Sequence, residues 1–203
     1  MEQETDTTPP LSGPRSWIVL AMVALMATFL ALAWFRPGLL LPETQQGSSP
    51  EFSLIDQQGR PVAVASYRGQ YPLFYFGYAS CPDICPADLT MATSALRRMG
   101  AEADGVQPVF VSVDYLRDGP ETLAPYVKAF HPRLAGLSGS REQIERAAAA
   151  FGVLFQVKQS GEEVTVDHST DFYLLDPAGR MLAVIPGVRN PQAFEDQLRN
   201  LLP

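Results

Sequence analysis

At 203 residues and a formal net charge of −7, the chain has room for one domain of ordinary size plus a further segment. It holds no Lys/Arg run, no glycine-rich phosphate-binding loop and no internal repeat, which sets nucleic-acid binding aside. Its only cysteines are Cys81 and Cys85 and its only histidines His131 and His168, so any soft-metal site must be built from very few donors.

Residues 1–16 form an acidic tail (Glu2, Glu4, Asp6). Residues 17–35, WIVLAMVALMATFLALAWF, carry no charge and as a helix would span about 28 Å, close to a bilayer core. Arg15 and Arg36 bracket the run, and Trp17 and Trp34 sit near its ends as interfacial residues do. Ala31-Leu32-Ala33 resembles a cleavage site, but the apolar run is longer than a signal core and its leading segment is acidic, so an uncleaved anchor is expected. One arginine on each side leaves its orientation open. A dithiol for reversible chemistry suits an extracytoplasmic compartment, a weak hint because cytosolic redox proteins use dithiols too. Residues 36–50, with prolines and Gln45-Gln46-Gly47-Ser48-Ser49, have linker composition.

Residues 51–203 read as a single α/β domain. Phe52–Asp56 and Pro61–Val64 flank the turn Gln57-Gln58-Gly59-Arg60 and predict a β-hairpin. Pro72–Tyr78 and Val106–Val113 are apolar enough for buried strands. Between them, Leu89, Ala92, Leu96 and Met99 make a helical stripe over 86–100 that Gly100 ends. Helices are also expected over 120–130, 142–151 and 191–202, the last capped by Asn190. Short strands are expected over 153–158, 164–167, 172–175 and 181–185. Strands alternating with helices, then a hairpin and a closing helix, describe a mixed sheet flanked by helices.

Cys81 and Cys85 lie in Phe76-Gly77-Tyr78-Ala79-Ser80-Cys81-Pro82-Asp83-Ile84-Cys85-Pro86, where a buried strand gives way to a helix. Two thiols four residues apart can close a disulfide or share one soft metal ion. A helix start favours the thiolate, which is both nucleophile and metal ligand. The carboxyl end of a strand in an open α/β sheet is also where ligands bind.

Three motifs in order carry a resemblance: the cysteine run above; Val111-Ser112-Val113-Asp114 with Arg117-Asp118 and Pro120-Glu121; and Val166-Asp167-His168-Ser169 leading into Phe172-Tyr173-Leu174-Leu175-Asp176-Pro177 and Gly179. Together they resemble the Sco/SenC family of membrane-anchored, thioredoxin-like copper proteins, from about Phe52 to the C-terminus and in the anchor. Gly119 and Ala79-Ser80 depart from the family's more usual threonine-containing choices, away from the expected ligands. The resemblance implies a copper site of Cys81, Cys85 and His168. It implies copper delivery, as a carrier more than an enzyme, to the binuclear copper A site of cytochrome c oxidase subunit II. It also implies thiol–disulfide chemistry on that subunit's cysteines, a thiol reductant and a copper donor as partners, and a C-terminal domain on the extracytoplasmic side of a membrane.

Thiolates suit Cu(I) and imidazole suits both Cu(I) and Cu(II), so the donor set fits copper in either state. Cysteines at i and i+4 would share one face of a helical turn. His131 closes a predicted helix, where a histidine caps carbonyls, so a closed four-ligand zinc site is disfavoured. Without the resemblance His168 is simply a histidine at a strand end. Asp114, Asp167 and Asp171 are turn or cap residues that could also support a metal-bound histidine, while Asp83, a turn residue between the two thiols, could instead disfavour a very low thiol pKa or orient the loop. Met22, Met26, Met91, Met99 and Met181 do not cluster. A membrane-anchored thiol–disulfide reductase is the second reading. A thioredoxin-like peroxidase would need a threonine and an arginine around its cysteine, and no such motif is present.

Overall fold

The computed structural model describes residues 16–35, 49–187 and 190–203. The tail expected over 1–16 and the linker expected over 36–50 fall almost wholly outside them. The chain divides into two units, residues 1–44 and 45–203.

Among the described residues the first unit holds the helix α1 (Ser16–Phe35), 20 residues long. Ile18, Val19, Leu20, Met22, Val23, Leu25 and Met26 are all exposed on it. Among the described residues no helix is long and apolar enough to cross a membrane. The helix expected over 17–35 is therefore present as backbone, while the span itself is not established.

The second unit is built outward from β3 (Tyr71–Gly77), buried at every position after the first. A strand buried on both faces must be central, with layers on each side. β3 runs parallel to β4 (Val106–Ser112), which runs parallel to β5 (Ala135–Ser138). The first crossover is α2 (Ile84–Met99) and the second is α3 (Pro120–Phe130). On the other side β3 pairs antiparallel with β8 (Phe172–Leu175), and β8 with β9 (Met181–Ile185). The expected hairpin, β1 (Ser53–Asp56) and β2 (Pro61–Ala63), joins the far edge through β5, giving the order β2-β1-β5-β4-β3-β8-β9. Its turn is fixed by the Asp56 carboxylate, which accepts from the Gln58 and Arg60 N–H groups, and by Gly59 at φ 77°.

Alternation along the strands sorts the core onto two faces. Leu73, Tyr75, Phe110, Phe172 and Leu174 pack beneath α2, α3 and α5 (Pro191–Leu201). Phe74, Phe76, Val109, Val111 and Tyr173 pack against α4 (Arg141–Phe151). β6 (Phe155–Ser160) and β7 (Glu163–His168) make a separate two-stranded ribbon. Its register places His168 opposite Phe155, at the ribbon's base.

Three details differ from the sequence reading. β5, with the short run Ala-Gly-Leu-Ser, was not expected; its ladder with β4 makes it a strand. Gly136 in β5 is required there, since a Cβ would stand 2.8 Å from Val127 Cγ1 of α3. α2 begins at Ile84, two residues before Pro86, so Cys85 is inside the first turn and Cys81 precedes the helix. The two cysteines therefore do not share one helical face as their spacing suggests. His131 does follow α3, but it caps no carbonyl with its ring: Nδ1 accepts from the Arg133 N–H at 3.1 Å. Burial, then Arg133 and Arg97, hold its pKa below the ordinary value, which suits a neutral accepting ring.

β3 ends where α2 comes closest. A Cβ on Gly77 would lie 2.9 Å from Cys85 Sγ and 2.9 Å from Phe110 Cε2. Gly77→Ala is therefore expected to cost about 1–3 kcal/mol of stability through overpacking. Gly105→Ala, whose nearest contact would be Tyr71 Cδ2 at 3.7 Å, should cost under about 0.5 kcal/mol. Urea unfolding of the two variants checks the contrast, and equal midpoints would contradict it.

Candidate metal centre

The loop after β3 turns at Tyr78–Cys81, where the Cys81 N–H donates to the Tyr78 carbonyl at 3.2 Å. Asp83 precedes α2 as its cap residue but makes no side-chain cap bond. A sulfur takes that place: the Cys85 N–H donates to Cys81 Sγ at 3.4 Å. Burial alone would raise the Cys81 thiol. Hydrogen bonds from the Cys85 backbone, the Cys85 side chain, the Asp83 backbone and the Tyr78 hydroxyl outweigh it and hold Cys81 below the ordinary thiol value. Cys81 is partly exposed and Cys85 is fully buried. Burial pushes Cys85 up to about 12, opposed by the Tyr78 backbone N–H and reinforced by Cys81. The same motif thus carries an accessible, activated thiol and a protected one.

His168 comes to this pair from the end of β7. Its Nε2 lies 3.3 Å from Cys85 Sγ, and its Nδ1 is 2.9 Å from the Ser169 carbonyl. An Nδ1–H donated to that carbonyl leaves the Nε2 lone pair facing the sulfur, the tautomer a metal-binding imidazole needs. Tyr75 and Tyr78 present ring edges or faces to the imidazole at 6.1 and 5.8 Å, both near perpendicular. Cys81, Pro82, Asp83, Asp167, His168 and Thr170 line an open cleft of about 290 Å³. Among the described residues no three His, Cys, Asp or Glu side chains already stand as a metal cage. Cys81, Cys85 and His168 instead form a string of neighbouring pairs, which a shared ion could draw together.

The four acidic candidates separate. Asp83 and Asp167 sit exposed on the cleft wall. Asp114 is buried and pairs with Arg117, while accepting from the Leu116 N–H, so it shapes the loop after β4. Asp171 is half-buried near Tyr173. The imidazole's outer partner is the Ser169 carbonyl.

Three supporting residues were given no site role from the sequence, Asp118 having been noted only within a family motif. Asp118, buried, accepts from the Ala79 N–H at 2.7 Å and from Ser112 Oγ at 2.6 Å, tying the cysteine loop to the end of β4. Burial raises its pKa against those two donors. Tyr75 donates its hydroxyl to Asp88 at 2.9 Å, and both side chains are buried under the site. The available signal was spacing: Tyr75 and Gly77 share a strand face, and Asp88 stands three residues after Cys85 on α2.

Comparison with known proteins finds relatives across the second unit. Residues 42–203 match the SCO1/SenC family. The mouse protein named Protein SCO2 homolog, mitochondrial, is 38% identical over 202 residues, covering 92% of this chain and 79% of that one. The crystal structure of Arabidopsis thaliana ScoI with copper bound aligns with a TM-score of 0.71 at 32% identity, over 75% of this chain and 96% of that one. BsSco, described by its structure as having a disulfide switch and as a member of the Sco family of cytochrome c oxidase assembly proteins, aligns with a TM-score of 0.62 at 27% identity, over 79% and 95%. The mixed sheet flanked by helices is thus the thioredoxin-like fold of these structures. The chain therefore belongs to the SCO1/SenC family.

Proposed function

We propose that this protein is a copper metallochaperone for cytochrome c oxidase assembly, carrying one copper ion on Cys81, Cys85 and His168 to the copper A site of subunit II. The observation that carries the reading is the 3.3 Å approach of Cys85 Sγ to His168 Nε2 across 83 residues of chain. Two sulfurs and an imidazole are donors that copper accepts in both oxidation states. Three donors leave a coordination position free. The cleft opens beside Cys81 and His168, so a partner's sulfur or nitrogen can enter there and take the cargo. Cys81, more exposed and more readily deprotonated, is the ligand that meets copper first and releases it last. Cys85 and His168 form the inner wall.

The likeness to copper-bound ScoI supports the choice of metal, and the likeness to BsSco supports the choice of process. In this reading α1 anchors the domain to a membrane, since its apolar side chains are exposed on every side described. The domain then faces an extracytoplasmic compartment, where a thiol reductant keeps the cysteines open and a copper donor loads them. Thiol–disulfide exchange with subunit cysteines is the second reading. The split between an activated Cys81 and a protected Cys85 favours it, since attacking and resolving thiols need that asymmetry.

Copper titration of the reduced protein should give one ion per chain. Cys81→Ser and Cys85→Ser should each abolish tight binding. His168→Ala should weaken Cu(II) by more than the about 10–100-fold that an outer-shell partner is worth, and Cu(I) less. Unchanged metal content in either serine variant would refute the site. Unchanged Cu(II) affinity in His168→Ala would leave the thiol reductase as the better reading.

Alkylation separates the two thiols. Thiolate forms as pH rises through a thiol's pKa, so Cys81, held below the ordinary thiol value, becomes reactive at lower pH than Cys85, which stays protonated to about pH 12. Iodoacetamide at pH 8 should modify Cys81 more than about tenfold faster than Cys85 in copper-free protein. Peptide mass spectrometry reads the ratio, and equal rates would contradict the assignment.

A reporter fused after Pro203 should be active only when it works outside the cytoplasm. Cytoplasmic activity would overturn the proposed orientation.

A further inference from the structure

We propose that Asp118 is a positioning residue for Cys81: its carboxylate fastens the cysteine loop to the end of β4, so that copper meets a sulfur already in place instead of having to order the loop that carries it. The inference rests on the site reading above and deepens it, because it names what holds the most accessible of the three donors.

The three donors are not held alike. Cys85 lies in the first turn of α2 and His168 at the end of β7. Cys81 lies in neither helix nor strand, within the segment 78–83 that joins β3 to α2. A loop residue keeps its place through the bonds its backbone makes. The Cys81 N–H donates to the Tyr78 carbonyl at 3.2 Å, which shapes the turn but ties it to nothing outside. The Ala79 N–H reaches out of the loop and donates to Asp118 Oδ2 at 2.7 Å. Among the described residues no other hydrogen bond joins residues 78–83 to the β4 side of the site.

Asp118 is itself firmly held. Gly77 and Ser112 are partners in the parallel β3–β4 ladder, and the Val113 N–H donates to the Gly77 carbonyl at 2.8 Å. The two strands thus end side by side, and Asp118 bridges the segments that leave them. Ser112 Oγ donates to the same Asp118 Oδ2 at 2.6 Å and accepts from the Asp114 N–H at 3.1 Å. The Asp118 N–H donates to the Asp114 carbonyl at 3.0 Å, and the Asp114 carboxylate pairs with Arg117. Ser112, Asp114 and Asp118 are 1%, 0% and 5% exposed, so water is a poor substitute for these bonds. One oxygen therefore takes a donor from each side, a hydroxyl at the end of β4 and an N–H of the cysteine loop. Without that oxygen both donors lose their partner. An acid that served only the loop after β4 would need Ser112 and not Ala79.

The test compares Asp118→Leu with Asp118→Asn in the full-length protein. Leucine keeps the bulk and removes the acceptor, whereas an amide oxygen can take both donors because they meet at one atom. Hydrogen exchange of the copper-free, reduced protein reads the loop without any metal. In Asp118→Leu, exchange within residues 78–83 should rise more than about tenfold, the fold-change of a hydrogen bond to a charged group, while residues 106–112 stay protected. In Asp118→Asn it should stay within about threefold. Cu(I) affinity, by competition with a chelator, should fall about 10–100-fold in Asp118→Leu and stay within about threefold in Asp118→Asn. Unchanged loop exchange or unchanged Cu(I) affinity in Asp118→Leu overturns the inference. So does an equal loss of protection over 106–112, which would mark a general weakening of the fold. Should Asp118→Leu fail to fold by circular dichroism, Ser112→Ala takes its place, since it removes one of the two donors that fix the carboxylate. It should raise exchange over 78–83 about threefold, and no rise overturns the inference. Absence of copper binding by the unaltered protein would sink the metallochaperone reading, while exchange still decides whether Asp118 holds the loop.

Discussion

The contact between Cys85 Sγ and His168 Nε2, 3.3 Å across 83 residues of chain, is the constraint on which the rest of the domain bears. Neither partner can be brought there locally. Cys85 is fixed by the first turn of α2, whose start depends on β3 ending beneath it. His168 is fixed by the base of the β6–β7 ribbon, where it pairs in register with Phe155. Antiparallel pairing with β3 makes β8 begin, just after His168, at the same end of the sheet from which α2 departs. A mixed sheet is therefore what this site requires: a parallel crossover delivers the thiols and an antiparallel return delivers the imidazole.

The chemistry follows from the difference between the two sulfurs. Both lie at a helix N-terminus, where free N–H groups favour thiolate. Only Cys81 gains from it on balance, because the Cys85 N–H points at Cys81 Sγ and burial dominates at Cys85. A partly exposed, activated thiol and a buried thiol beside an imidazole are donors suited to metal capture and disulfide exchange alike.

The fold was legible wherever hydrophobic period and punctuation agreed. The buried strands around 72–78 and 106–113, the helix 120–130 and the strand pair 172–175 and 181–185 could be read almost to the residue. β5 was hidden because Ala-Gly-Leu-Ser has no strand character of its own and is made a strand by the ladder it joins. The start of α2 was misplaced by two residues because Pro86 is acceptable throughout the first helical turn, where its missing N–H costs nothing. Of the site, the two thiols announced themselves by their spacing between strand and helix. His168 was visible only through a family motif, since nothing in a strand-end histidine says what a distant helix will bring to it. Tyr75 and Asp88 were invisible as polar groups because their partners lie on other elements, and Asp118 showed only as part of a family motif.

The central claim is that one copper ion is held by two sulfurs and one imidazole nitrogen from these three residues. X-ray absorption at the copper edge of the loaded protein measures that donor set directly. The account predicts two sulfur donors and one imidazole nitrogen, with the nitrogen lost in His168→Ala. A shell of nitrogen and oxygen donors without sulfur, or an unchanged shell in His168→Ala, would contradict it.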